Sequence, residues 1–159
     1  MSEHTASIHW TFAGGDFRKG RYSRAHTWQF DGGLTVPASP SPSVVPAPWS
    51  EAANLDPEEA YVAALASCHM MTFLYLAARA GVEVLSYDDD AVGHMTKNEH
   101  GVMWVSEVVL QPRIVYGGET RPAPAAEEGL HHAAHEQCFI ANSVKTAIRV
   151  AAVDGAISA

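Results

Sequence analysis

Hydrophobic positions recur along this chain at two periods, and the change from one to the other marks its elements. Ser7 to Phe12 alternate polar and apolar and predict a first strand that ends at Gly14-Gly15. Ala25 to Phe30 predict a second strand, Asp31-Gly32 a hairpin turn, and Leu34-Thr35-Val36 the start of a third strand. Five prolines, Pro37, Pro40, Pro42, Pro46 and Pro48, then exclude helix and central strand. With Val44, Val45 and Trp49 available to dock, this stretch is expected to be an ordered flap beside the next element. That element is a helix. Asp56 suits its N-cap, Pro57 its first position and Glu58 and Glu59 its positive end, while apolar and small residues continue to Ala80 and Gly81 stops it. Being apolar on nearly every side, it is expected to be buried centrally.

Beyond it, Val82 to Met95 predict one or two strands broken near Asp88-Asp89-Asp90, and Lys97 to Gly101 a turn. Val102 to Tyr116 alternate as one strand with Val102, Trp104, Val108 and Leu110 on one face, closed by Gly117-Gly118. Pro122-Ala123-Pro124 open a second, more polar helix over Ala125 to Gln137. A short helix over Ile140 to Val144 and a final strand over Thr146 to Val153 complete the chain. Strands, helix, strands, helix, strand is an α+β order and excludes a doubly wound α/β fold. Residues 1–159 are expected to form a single domain.

Composition narrows the function. A hydrophobic content of 47% and a charged content of 18% are those of a globular protein. The net charge of −8, with ten Lys and Arg, argues against nucleic acid or an anionic membrane as partner. Four of those ten, Arg18, Lys19, Arg21 and Arg24, fall in one short turn. The N-terminus shows no secretory signal, so a soluble cytoplasmic protein is expected. In that compartment two cysteines are more often reactive or transiently paired than structural crosslinks.

Those cysteines are Cys68, in the middle of the first helix and followed by His69, and Cys138, just after the second. Phosphate-loop, dinucleotide and serine-hydrolase motifs are absent. His69 points about 100° away from Cys68 on a helix and is poorly placed as its base. His131, His135 and Cys138 stand at i, i+4 and i+7 and offer a candidate set of three metal ligands, the spacing being unspecific. Two cysteines that meet can instead run a peroxide cycle, in which one thiolate is oxidised to a sulfenic acid that condenses with the second thiol. The attacking thiol needs a nearby cation, for which Arg24 or Arg21 is the candidate. Tyr61, Leu65, Phe73, Trp49 and Phe139 would favour organic substrates if they line the pocket.

Asp56-Pro57-Glu58 ahead of Ala64-Leu65-Ala66-Ser67-Cys68, with Ala134-His135-Glu136-Gln137-Cys138 and an Asn-Ser segment later, resembles the OsmC/Ohr family of thiol peroxidases from about Arg24 to the end. The resemblance implies an α+β fold with mainly antiparallel sheets around a long central helix, in an intertwined homodimer. It also implies Cys68 as the peroxidatic cysteine, Cys138 as the resolving one, Arg24 beside the thiolate and Glu58 as the carboxylate orienting that arginine. Hydroperoxide is then the substrate and an external dithiol the reductant, with no cofactor and no metal. The alternative is a non-catalytic OsmC-like stress or binding protein, with metal held by His131, His135 and Cys138.

Overall fold

The computed structural model describes residues 2–118 and 121–151, with the backbone of 157–158. It divides into two compact units, Met1–Ala60 and Tyr61–Ala159.

In the first unit, β1 (Ala6–His9), β2 (His26–Phe30) and β3 (Thr35–Ala38) form an antiparallel sheet in that order. The β2–β3 hairpin turns at Asp31-Gly32-Gly33, as the sequence predicts, with Gly33 at a φ of 85°, where a side chain would be strained. Pro37 sits in β3, an outer strand, where its missing N–H costs no ladder bond. The proline-rich loop is ordered and stitched at its base: Ser39 N–H donates to Leu55 O at 3.0 Å, Leu55 N–H to Pro37 O at 3.1 Å, and Glu51 N–H to Ser39 Oγ at 2.8 Å. Asp56 and Glu59 then cap the next helix reciprocally, with Glu59 N–H on Asp56 Oδ1 at 2.7 Å and Asp56 N–H on Glu59 Oε2 at 3.2 Å.

That helix, α1 (Pro57–Arg79), has the predicted bounds but not the predicted burial. One stripe, Leu65, Cys68, His69, Phe73 and Ala77, is buried, while Ala64, Ser67, Met71 and Tyr75 on another face are exposed. An apolar helix in a small unit has too few layers around it to cover every side.

The second unit holds two sheets. The pair β4 (Val84–Asp89) and β7 (Pro112–Tyr116) is antiparallel. The other sheet runs β5 (Val92–Lys97), β6 (Met103–Leu110), β8 (Ala147–Ala151), β9 (Ile157–Ser158), with β6 and β8 parallel. The single strand expected over 102–116 is therefore two strands in different sheets, divided at Gln111. Pro112 follows without an N–H, and Asp89 Oδ1 accepts from Gln111 N–H at 2.7 Å, so the aspartate run builds the corner. The predicted final strand is β8 as far as it is described; residues 152–156 lie outside the described residues.

Two clusters hold α1. Leu65 packs with Val108 and Leu110, flanked by Val62, Val105 and Ile148. Phe73 and Ala77 pack with Ala134 of α2 (Pro124–Gln137), flanked by Leu76, Tyr87, Ile114 and Leu130. The first contact is close enough to require Gly93, where a Cβ would lie 2.6 Å from Val62 Cγ2. Tyr61 OH donates to Thr146 Oγ1 at 2.7 Å, which itself donates to Val105 O at 2.8 Å. α1 is thus fixed on both sides of Cys68.

Candidate active site

Cys68 takes its position from helix geometry alone. It falls between the Leu65 and Phe73 contacts, so its thiol faces inward, and Thr72 Oγ1 donates to its carbonyl at 2.9 Å. Cys138 reaches the same place by a different route. α2 stops at Gln137, and Cys138 caps it in extended backbone, φ −69° and ψ 118°, its N–H on Ala134 O at 2.9 Å. The chain then folds into a turn and a short 3₁₀ helix, Ala141–Ser143. Both cysteines are free and buried, and the Cys68 thiol lies close enough to Cys138 to act on its ionisation.

Burial pushes the Cys138 thiol above its ordinary pKa, and the hydrogen bond and charge of Cys68 push it further; the N–H groups of Ala141 and Ile140 pull the other way. Ala141 N–H lies 3.4 Å from Cys138 Sγ. Burial thus favours the protonated form of Cys138.

Next to the thiols lies a pair of histidines whose partnership the sequence does not reveal. His69 Nε2 is 3.0 Å from His131 Nδ1, the rings stack at 5.4 Å, and Phe73 stacks on His131 at 4.4 Å. Burial lowers both pKa values to about 4, with the neighbouring His131 and His135 adding to the effect on His69. Two neutral rings, one donating and one accepting, are what this bond needs. The pair ties α1 to α2 beside Cys68, and His69 is thereby committed elsewhere, not poised as a base for the adjacent thiol.

The candidate metal set does not form. His131 faces His69, Cys138 faces Cys68, and the helix ends before Cys138, so the i, i+7 spacing places no shared face. Among the described residues no group of three or more His, Cys, Asp or Glu side chains is arranged to hold a metal ion.

Arg24 and Glu58 both belong to the first unit and, among the described residues, form no ion pair with each other. The Arg24 guanidinium donates to Gly20 O at 3.2 Å and Tyr22 O at 3.1 Å and lies 4.2 Å from the centre of the Tyr22 ring. Its backbone is pinned too: Arg24 N–H donates to Trp49 O at 3.0 Å, and Arg24 O accepts from His26 Nδ1 at 2.8 Å. That tautomer follows because His26 Nε2 must accept from the Trp28 indole at 2.9 Å. Arg21 pairs through its backbone with Asp16.

The expected apolar lining is largely core. Leu65 and Phe73 belong to the two separate clusters that hold α1, and Tyr61 is spent on Thr146. Phe139, by contrast, is 83% exposed directly after Cys138. Asn142, which the sequence offers only as part of the Asn-Ser segment, holds the turn after Cys138 with its side chain.

With this geometry in place, comparison with known proteins is informative. The OsmC-like protein family matches residues 50–152. An OsmC-like protein of unknown function from Vibrio cholerae O1 biovar eltor is 52% identical and superposes with a TM-score of 0.90, over 94% of this chain and 97% of that one. An organic hydroperoxide resistance protein OsmC from Legionella pneumophila is 17% identical, TM-score 0.68, over 94% of each chain. One from Elizabethkingia anophelis is 18% identical, TM-score 0.69, over 94% of this chain and 93% of that one. At those two identities the likeness is one of fold. No protein with a curated description matches the chain. By the family match across residues 50–152, and by 52% identity to an OsmC-like protein over 94% of this chain, this chain belongs to the OsmC-like protein family.

Proposed function

We propose that the protein is a cysteine-based peroxidase that reduces hydroperoxides, organic ones in preference. The observation that carries the reading is that Cys68 and Cys138, both free and buried, lie close enough for one thiol to act on the other's ionisation. The Cys68 thiolate attacks the O–O bond of the hydroperoxide, its sulfur is oxidised to a sulfenic acid, and the other oxygen leaves as an alcohol after taking up a proton. The Cys138 thiol then attacks that sulfur, giving a Cys68–Cys138 disulfide and water. An external dithiol returns both thiols by exchange, and the cycle uses no cofactor. The raised pKa of Cys138 disfavours its thiolate and suits the second role. Solved relatives of the same fold named organic hydroperoxide resistance proteins support the substrate class.

In this reading Arg24 supplies the cation beside the Cys68 thiolate and Glu58 orients it, in a cytoplasmic homodimer. The exposed apolar stripe of α1, with Met71 58% and Tyr75 56% accessible, supports a second copy as its cover.

Peroxide consumption by the purified protein with dithiothreitol tests the proposal, comparing cumene hydroperoxide with hydrogen peroxide. Turnover falls to background in Cys68→Ser, while Cys138→Ser consumes peroxide once and retains a sulfenic acid that a dimedone probe labels. Arg24→Ala slows the first attack at neutral pH by about tenfold, the scale of one lost charge-assisted interaction. Wild-type thiols that survive both peroxides would overturn the reading.

A further inference from the structure

We infer that Asn142 is a positioning residue for Cys138, acting through the turn that carries the resolving thiol; the inference rests on the dithiol reading above. The last carbonyls of a helix lack partners, and the common remedy is a glycine in left-handed conformation just past the end. Here the position past Gln137 is a cysteine in extended backbone, and a side chain provides the remedy instead. Asn142 Nδ2 donates to Glu136 O at 2.8 Å and to Cys138 O at 2.9 Å. Its two hydrogens match the two acceptors. Asn142 N–H donates to Cys138 O as well, at 3.1 Å, and Ala141 N–H reaches Cys138 Sγ at 3.4 Å. The Asn142 amide thus fixes both where α2 ends and where the next backbone points, and with them the thiol of Cys138. Ser143 provides an internal control: its hydroxyl donates to Phe139 O at 2.8 Å within the same turn and, among the described residues, makes no hydrogen bond to Cys138.

The consequence lies in the second step of the cycle. Asn142→Asp keeps the shape, removes both donors and sets a carboxylate against two carbonyl oxygens. Asn142→Ala removes the donors without the charge. Either releases the Cys138 segment, lowering the effective concentration of its thiol at Cys68. Full-length protein equilibrated in glutathione redox buffers, with the Cys68–Cys138 disulfide read by alkylation and mass spectrometry, measures that concentration without any peroxide. The expected result is a fall of about tenfold in both Asn142 variants, the scale of one or two hydrogen bonds, with Ser143→Ala near wild type. In single turnover with cumene hydroperoxide, Asn142→Asp leaves the first oxidation of Cys68 at the wild-type rate and slows only disulfide formation.

Unchanged effective concentration in both Asn142 variants, or an equal fall in Ser143→Ala, overturns the inference. Its failure is separable from that of the peroxidase reading. Wild type that forms the disulfide in redox buffer yet ignores hydroperoxide removes the peroxidase reading and leaves Asn142 in its role.

Discussion

Cys68 and Cys138 are both buried and near one another, yet the segments that deliver them are built on different principles. Around Cys68 the chain is regular helix, capped by the reciprocal Asp56–Glu59 bonds and held by one packed cluster on either side. Around Cys138 the helix has just ended, α2 has no side-chain cap at its start, and position is set by the Asn142 amide and a few backbone bonds in a turn. The first thiol is fixed by packing and the second by hydrogen bonds. Regular packing resists displacement, whereas a turn can shift by the small amount that disulfide formation asks. The proposed division of labour between attacking and resolving thiol therefore has a mechanical counterpart.

The contrast can be broken most forcefully on the packed side. Phe73 is fully buried against His131 and Tyr87, so Phe73→Ala should cost about 3–5 kcal/mol in chemical denaturation. The link between the sides is the histidine pair, with both pKa values near 4 in the folded chain against an ordinary 6.5. Between those pH values the unfolded chain takes up protons that the folded one refuses, so stability is full above pH 6.5 and falls as pH drops toward 4. At 1.36 kcal/mol per pH unit the loss approaches about 3 kcal/mol per histidine, and below pH 4 it levels off. Denaturation midpoints across that range should be markedly flatter in the His69→Phe, His131→Phe double variant; an unchanged slope would assign the acid sensitivity to other groups. Asp56→Ala removes one half of the α1 cap and should cost about 1 kcal/mol. The smallest effect belongs to Phe139, so exposed that Phe139→Ala should stay within about 0.5 kcal/mol of wild type.

The same contrast explains how much was legible in the sequence. α1 was, because a capping aspartate, a first-position proline and a terminal glycine are local signals that the structure keeps. The family was legible too, from the joint occurrence of the Pro-Glu entry and the two cysteine motifs. The burial of α1 was not: composition shows which residues are apolar but not how many layers surround them, and Met71 and Tyr75 remain outside. The break at Gln111 escaped because alternation runs straight through it, while a change of sheet depends on which partner each half pairs with. The partnership of His69 with His131 joins residues far apart in sequence, and neither has a local signature. The i, i+4, i+7 pattern of His131, His135 and Cys138 misled because it presumes a helix that continues past Gln137.

The most direct test of the central claim, that Cys68 and Cys138 form one working dithiol, is peptide mapping after a single equivalent of cumene hydroperoxide without added reductant. The account predicts one intramolecular Cys68–Cys138 disulfide, reversed by dithiothreitol, and no free Cys138 for alkylation. A Cys138 that still alkylates fully while Cys68 advances to sulfinic acid would contradict it.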